Sequence, residues 1–241
     1  MDIESGAKWF AEQIKKGNVV VFSGAGLSTE SGLSDFRSKE GMWAHVDPMQ
    51  YASVNALEND YDSFREFYKA RLYVPESVQP NKGHKYIAEW EKQGFVTGII
   101  TQNVDRLHQK AGSIKIAELH GSLEPVRCHS CGKIWDKELF LEGKKCDCGG
   151  LLRPGVVLFG EMLPDEPLRL ADEWSSGCET FVVLGSSLVV SPANYFPRQA
   201  KNSGAKLIII NRDSTPLDGI ADLVVHEGIG GYLEKVAGYV K

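Results

Sequence analysis

Long apolar runs are missing from this chain of 241 residues. No stretch approaches the ~18 consecutive apolar residues that suggest a membrane span, so a bilayer is not expected among its partners. An excess of positive charge is missing as well. Lys and Arg total 27 against 32 Asp and Glu, a net charge of −5, whereas binding to a phosphate backbone needs clustered cations. Nucleic acid is therefore not expected as a partner, while a lysine-rich peptide is compatible with the acidic balance. Internal repeats and low-complexity linkers are also absent. The opening segment MDIESGAKWFAEQIKK carries acids early. It predicts an amphipathic helix rather than a signal peptide, with Ala7, Phe10, Ala11 and Ile14 on one face and Gly17 as C-cap, and points to a cytoplasmic protein.

Cysteine is scarce, five in all, yet four fall within residues 128–148. In a cytosolic chain such a cluster means a metal more often than disulfides. Cys128-x-x-Cys131 and Cys146-x-Cys148 are separated by 14 intervening residues, and two close thiolate pairs suit tetrahedral zinc. Four cysteines leave no open coordination position, so the ion is expected to be structural. Sites of this kind contribute ~10–16 kcal/mol of apparent binding energy in small peptides. The C-x-C half is less usual than C-x-x-C, which leaves the geometry open. His129 lies inside the first knuckle and is expected to face solvent. Cys178 has no base near it in sequence and reads as a small buried hydrophobe.

Against these absences stands a regular rhythm. Apolar, β-rich runs at 18–23, 95–101, 180–187 and 205–211, with a fifth at 221–226, alternate with helical segments such as VDRLHQKAG, PDEPLRLADEWSSG and GIGGYLEKVAGYV. Near-continuous apolar strands suit a parallel sheet buried on both faces, so the expected fold is α/β, a doubly wound Rossmann-like domain. Two stretches break the rhythm. Residues 38–89 hold aromatic helical patches and residues 123–155 hold the cysteines. They are expected to form the helical and zinc-ribbon parts of a small inserted lobe, leaving 1–37, 90–122 and 156–241 as the core domain.

In an open α/β sheet, ligands sit at the carboxyl ends of the strands. Small or polar residues collect there: Gly24-Ala25-Gly26 after the first run, Gln102-Asn103-Val104-Asp105 after the second, Gly185-Ser186-Ser187 after the third, Asn211 at the end of the fourth. Together they indicate a nucleotide site. The glycine loop nevertheless lacks two parts of the dinucleotide fingerprint. Thr29 stands where G-x-G-x-x-G has its third glycine, and no acidic residue follows at the tip of a second strand.

Read in order, GAGLSTESGLSDFR (24–37), TQNVDRLHQKAG (101–112), LHG (119–121), the cysteine pairs, RPGVVLFGEMLP (153–164) and GSSLVVSPA (185–193) resemble the motifs of the sirtuins, the NAD-dependent protein-lysine deacylases. The resemblance spans roughly residues 5–240. It implies that NAD is consumed: nicotinamide leaves as the acyl-lysine carbonyl oxygen attacks the ribose, and the products are lysine, nicotinamide and 2′-O-acyl-ADP-ribose. It implies a structural zinc at Cys128, Cys131, Cys146 and Cys148. It places Gly24, Ala25, Gly26, Ser28, Thr29, Phe36 and Arg37 in the cofactor loop, with Phe36 shielding the reacting carbon and Arg37 meeting the pyrophosphate. Gln102, Asn103, Val104 and Asp105 would hold the nicotinamide carboxamide and its ribose. Gly185, Ser186, Ser187 and Asn211 would receive the phosphate and adenosine end, with Gly228 and Ile229 near adenine.

The catalytic residues implied are His120, Asn103 and Asp105, with His120 as general base on a ribose hydroxyl. His108 is read as structural, and His45, His84 and His226 receive no role. An acylated peptide is expected to add as a strand between 156–161 and 188–191, against Val157, Phe159, Gly160 and Glu161 on one side and Val189 and Val190 on the other. Val157 and Phe159 would line the acyl-lysine tunnel, and main-chain pairing implies weak sequence preference. The chain departs from the family pattern at Leu33-Ser34, where Ile-Pro is usual. Serine lacks proline's fixed φ, so a loop that is more mobile without NAD is expected.

Tyr68-x-x-Arg71 in FREFYKARLY resembles the pair that recognises succinyl or malonyl groups in one sirtuin branch. Positions i and i+3 share a helix face, and a charge-assisted hydrogen bond to a carboxylate is worth ~1.5–3 kcal/mol, roughly 10- to 150-fold. The alternative is an apolar patch of Phe64, Phe67 and Tyr68, with Arg71 capping it or pairing with an acid. Three other functions stay open. An NAD-dependent oxidoreductase would need the missing fingerprint residues and a second substrate domain. Mono-ADP-ribosyl transfer would use the same cofactor cleavage. A zinc-stabilised NAD-binding module without turnover would need neither His120 nor Asn103. The sequence leaves the oligomeric state, a monomer included, undecided.

Overall fold

A computed structural model describes residues 2–36, 38, 41–44 and 46–240. Helix α1 (Ile3–Lys16) is capped by the Asp2 carboxylate, which accepts from Ser5 N at 2.9 Å, and stops at Gly17 with φ 82°. Strand β1 (Val19–Ser23) and a 3-10 segment (Ala25–Ser31) follow. Helices α2 (Pro48–Tyr51), α3 (Val54–Asn59), α4 (Tyr61–Ser77) and α5 (Lys82–Lys92) are opened by Asp47, Ser53, Asp60 and Asn81. Each of these side chains satisfies a backbone N–H that the first helical turn leaves without a partner. The chain then forms β2 (Val96–Thr101), α6 (Leu107–Ala111) and β3 (Ile116–Glu118). The cysteine region holds β4 (Val126–Cys128), β5 (Ile134–Trp135), α7 (Lys137–Leu141) and β6 (Leu152–Pro154). Last come α8 (Asp165–Gly177), β7 (Thr180–Leu184), α9 (Tyr195–Asn202), β8 (Lys206–Ile210), β9 (Leu223–Val225) and α10 (Ile229–Val240).

Six strands make one parallel sheet in the order β3-β2-β1-β7-β8-β9. Every residue of β1 and β7 is buried, which is why these segments read as unbroken apolar runs. On one face Phe10, Ile14, Ile87, Trp90, Tyr232 and Leu233 cover Val19, Val21, Val182 and Ile208; on the other Ala171, Phe196 and Ala200 cover Val20, Phe22, Val183 and Ile209. This is the doubly wound α/β architecture that the strand–helix alternation implies. The chain winds outward from β1 to β3, then returns to β7 beside β1 and winds the other way. The switch point, and the crevice it opens, lies between β1 and β7.

A second sheet, antiparallel in the order β5-β4-β6, carries the cysteines. It shares a core with the helical segment: Leu57, Phe64, Tyr68 and Leu72 pack with Val126, Phe140, Leu152 and Leu158. Helix α5 spans residue 89, where a lobe boundary is expected, and its Ile87 and Trp90 pack with Phe10 on the sheet. Among the described residues no helix is long and apolar enough to cross a membrane.

Candidate active site

The floor of the crevice is backbone against backbone. Gly26 N donates to Gly185 O at 2.9 Å, and Gly24 N to Leu184 O at 3.0 Å. A Cβ on Gly24 would lie 2.6 Å from Gly185 O, and one on Gly26 2.8 Å from Gly185 Cα. Gly185, at φ 65°, has its Cβ direction filled by Leu27 N and Gly26. Glycine is thus required at 24, 26 and 185 for the first and third strand-end loops to interlock, before any ligand enters.

Behind this floor lies a polar network at the end of β2. The Asn103 amide donates to Gly24 O at 3.1 Å and to Ser28 Oγ at 3.2 Å, and Ser28 Oγ donates to Asp105 Oδ2 at 2.6 Å. Burial pushes the Asp105 carboxyl above its ordinary range, opposed by its hydrogen bonds from Ser28 and from Leu107 N. Thr101 Oγ1 accepts from Asn103 N at 3.1 Å and from Ser23 Oγ at 2.8 Å. The same Ser23 hydroxyl sits 2.8 Å from His108 Nε2, and the rings of His84 and His108 meet at 5.1 Å. Burial drives both imidazoles toward the neutral form, His84 to about 4 and His108 to about 3. His84, with no role in the sequence reading, thus joins His108 as part of the support under the Asn103 segment.

His120 follows β3, half-buried, with Nδ1 3.1 Å from the Gln102 carbonyl oxygen. A carbonyl only accepts, so Nδ1 carries the proton and Nε2 is the basic nitrogen. Gln102 in turn donates from Nε2 to Ser186 Oγ at 2.9 Å, tying the β2, β3 and β7 ends together. Gly121, at φ 66°, turns where a Cβ would strike the Gly155 carbonyl.

One cavity of about 1250 Å³ joins these strand ends. From the expected cofactor residues it takes Gly24, Ala25, Gly26, Thr29, Phe36, Gln102, Asn103, Val104, Gly185, Ser186, Ser187, Asn211, Gly228 and Ile229; from the expected substrate residues it takes Tyr68, Arg71, Val157, Phe159, Gly160, Glu161 and Val190, and His120 lines it too. Ser28 and Asp105 stand behind the wall, joined to it through Asn103. Val189 is outside the lining, 55% exposed. Arg37 lies outside the described residues, as does His45. The glycine cradle at the strand ends and the volume of the cavity suit a dinucleotide.

The two segments expected to flank an acylated peptide are not strands themselves. Residues 156–161 form no ladder; Phe159 makes only an isolated bridge with Ser53. Residues 188–191 are likewise irregular, with Leu188 at φ 56°. What shapes the first segment is a buried ion pair that sequence reasoning missed. Arg153, 0% exposed, reaches Glu161 Oε1 at 2.5 Å and Oε2 at 3.0 Å and donates to the Val156 carbonyl. Glu161 Oε2 also accepts from Leu158 N at 2.8 Å. Burial alone would raise the Glu161 carboxyl, but Arg153 and the Leu158 N–H hold it below its ordinary range. A buried arginine needs a carboxylate partner, and the only acid in RPGVVLFGEMLP is Glu161, so the pair was signalled. Glu30 was not signalled: its carboxylate accepts from Gly230 N at 2.9 Å, 200 residues away, where α10 begins.

Tyr68 is 5% exposed, its phenol pushed up to about 12 by burial. The Arg71 guanidinium lies 5.2 Å from the Phe36 ring centre and 5.5 Å from that of Phe67. No carboxylate forms an ion pair with Arg71 among the described residues.

The Sγ atoms of Cys128, Cys131, Cys146 and Cys148 all lie within 4.8 Å of one another, with Cys128–Cys148 and Cys131–Cys146 at 3.6 Å. Zn–S bonds of ~2.3 Å in a tetrahedron need sulfurs about 3.8 Å apart. The C-x-C half therefore closes the same tetrahedron as the C-x-x-C half, and the donors fit zinc. His129 approaches Glu58, at 3.7 Å, and is no ligand of this cluster. Cys178 is buried, its thiol pushed up to about 12 by burial, in keeping with an inert hydrophobe.

Comparison with known proteins agrees with this geometry. The model of the Sir2 family matches residues 24–192. The chain is 48% identical over 229 residues to an NAD-dependent protein deacetylase of Halalkalibacterium halodurans, covering 94% of this chain and 95% of that one. A crystal structure of a Sir2 homologue–NAD complex superposes with TM-score 0.89 at 39% identity, covering 96% of this chain and 93% of the other. A Sir2 structure with deacetylated p53 peptide and 3′-O-acetyl ADP ribose superposes with TM-score 0.90 at 36% identity, covering 96% and 97%. The chain belongs to the Sir2 family, that of the sirtuins.

Proposed function

We propose that the cavity cleaves NAD and, with one water consumed, transfers the acyl group of a protein lysine to the ADP-ribose, leaving nicotinamide and the free lysine. The observation that carries this reading is that His120 lines the same cavity as the glycine cradle and as Val157 and Phe159, with its ring against Gln102 O and its own carbonyl accepting from Val157 N at 2.8 Å. The deacetylase named among its relatives, and the solved homologues with NAD, deacetylated peptide and acetyl-ADP-ribose, support it.

Bound NAD supplies a ribosyl carbon activated by the departure of nicotinamide. The rest falls to this chain's residues. Gly24, Gly26 and Gly185 let the backbone approach the phosphates closely. Asn103, fixed by Gly24 O and Ser28, presents its amide at the nicotinamide end, and Asp105 holds Ser28 in place. His120 Nε2 accepts the proton of a ribose hydroxyl, while Gln102 O keeps the other ring nitrogen protonated and the ring oriented. The irregular segments 156–161 and 188–191 receive the peptide backbone between them. The four cysteines hold zinc as a structural tie for the small lobe, which in this reading comprises the helical and cysteine-bearing segments. The partner is an acylated protein lysine in the cytoplasm, and the net charge of −5 suits such substrates better than nucleic acid or an anionic membrane.

A second reading concerns the acyl group. Tyr68 and Arg71 both line the cavity, and among the described residues no carboxylate forms an ion pair with the guanidinium. That favours acceptance of succinyl or malonyl groups alongside acetyl. The test is mass spectrometry of acetyl-lysine and succinyl-lysine peptides incubated with and without NAD. Free lysine and O-acyl-ADP-ribose should form only with NAD, and the ratio of the two rates reads the acyl preference. Binding of NAD with no change in either peptide would overturn the proposal, and ADP-ribosylated protein would then point to mono-ADP-ribosyl transfer.

A further inference from the structure

We propose that Arg71 is a positioning residue for the cofactor loop as well as a selector of the acyl group, so that one guanidinium couples the two halves of the cavity. The inference rests on the NAD-dependent deacylase reading of the site. Asp35 is tied to the residues that follow it: Met42 N donates to Asp35 O at 2.9 Å, and Ser38 N to Asp35 Oδ1 at 2.8 Å. Both ends of this loop meet Arg71. Phe36 presents its ring to the guanidinium at 5.2 Å, and Met42 Sδ accepts from Arg71 Nη1 at 2.8 Å. The guanidinium also lies over Phe67 at 5.5 Å. Arg71 itself stands on α4, whose Phe64, Tyr68 and Leu72 are buried in the core shared with the cysteine region. The loop that carries Phe36 to the cofactor thus rests, through one side chain, on the fixed helix that carries Tyr68 to the acyl end.

An arginine reserved for an acyl carboxylate has no reason to affect NAD when the acyl group is acetyl. An arginine that holds Phe36 does. With an acetyl-lysine peptide, Arg71→Met should raise KM for NAD by about 5- to 30-fold, the effect of losing a desolvated cation–π contact, and by more than it lowers kcat. Arg71→Lys, which keeps the charge but not the planar fork, should recover part of the loss. Calorimetric affinity for ADP-ribose should weaken in parallel, a readout that does not depend on turnover. KM for NAD and ADP-ribose affinity within two-fold of wild type in Arg71→Met, with succinyl-peptide activity lost, would overturn the inference and leave Arg71 as an acyl selector alone. If the wild-type chain turns over neither peptide, the deacylase reading fails separately, and the ADP-ribose titrations still decide whether Arg71 serves the cofactor loop.

Discussion

Glu161→Gln offers a demanding test of how the acyl end is built. Arg153 is fully buried, and its guanidinium reaches both Glu161 oxygens and the Val156 and Pro154 carbonyls. Breaking a buried pair by neutralising one partner costs ~3–5 kcal/mol, because the other charge stays buried without compensation. The Glu161 side chain keeps 23% exposure and the two carbonyls remain, so the low end, ~3 kcal/mol, is expected. For a chain of this size each kcal/mol shifts Tm by ~2–4 °C, giving a fall of about 6–12 °C by calorimetry. Function should suffer in a specific way. Leu158 N also loses its charged acceptor, the segment with Val157 and Phe159 loosens, and KM for the peptide should rise several-fold while KM for NAD changes little. Adding Arg153→Met should restore much of the stability, since an apolar replacement of both charges removes the penalty. A Tm within ~2 °C of wild type, with peptide KM unchanged, would refute the view that this pair shapes the docking segment.

Three further outcomes follow from the structure. His84 and His108 are held neutral, at about 4 and about 3, against ~6.5 in an unfolded chain; their stabilisation is complete above ~6.5 and falls by about 1.4 kcal/mol per pH unit for each ring as the pH drops toward those folded values. Wild type should therefore lose more Tm between about pH 7 and 5 than His108→Asn does, and equal losses would contradict the neutral pair. Metal analysis should find one zinc per chain, and stripping it with a chelator should loosen the shared core around Phe64 and Phe140 and lower Tm; an unchanged melt in the stripped protein would argue against a structural ion. Gly185→Ala should destabilise by ~2 kcal/mol or more, from the positive φ and the filled Cβ direction together, with loss of ADP-ribose binding by calorimetry as the second sign.

The doubly wound sheet was legible because β1, β7 and β8 are buried on both faces and so write themselves as apolar runs. Strand β3 escaped because it is three residues at an edge, preceded by Lys115 and ending in Glu118. The strand-end residues could be listed from the sequence, since each follows its strand directly. Their mutual distances could not, because the interlock of Gly24, Gly26 and Gly185 joins segments some 160 residues apart. The same holds for Glu30 at the start of α10. The shape of the peptide-docking segment was not legible: VVLFGE has the apolar content of a strand, but Arg153 and Glu161 hold it as an irregular segment, bridged among the described residues to Ser53. Tyr68 and Arg71 illustrate a different limit. Helical spacing puts them on one face, but only the tertiary packing brings Phe36 and Met42 onto the guanidinium.

The central claim is that His120 Nε2 takes the proton of a ribose hydroxyl. The most direct test compares wild type with His120→Ala for acetyl-lysine peptide turnover, alongside calorimetric binding of NAD to both. The account predicts NAD binding within a few-fold of wild type and formation of lysine and O-acetyl-ADP-ribose reduced ~10²- to 10⁴-fold, the usual contribution of a positioned general base. Turnover at the wild-type rate in His120→Ala would contradict it.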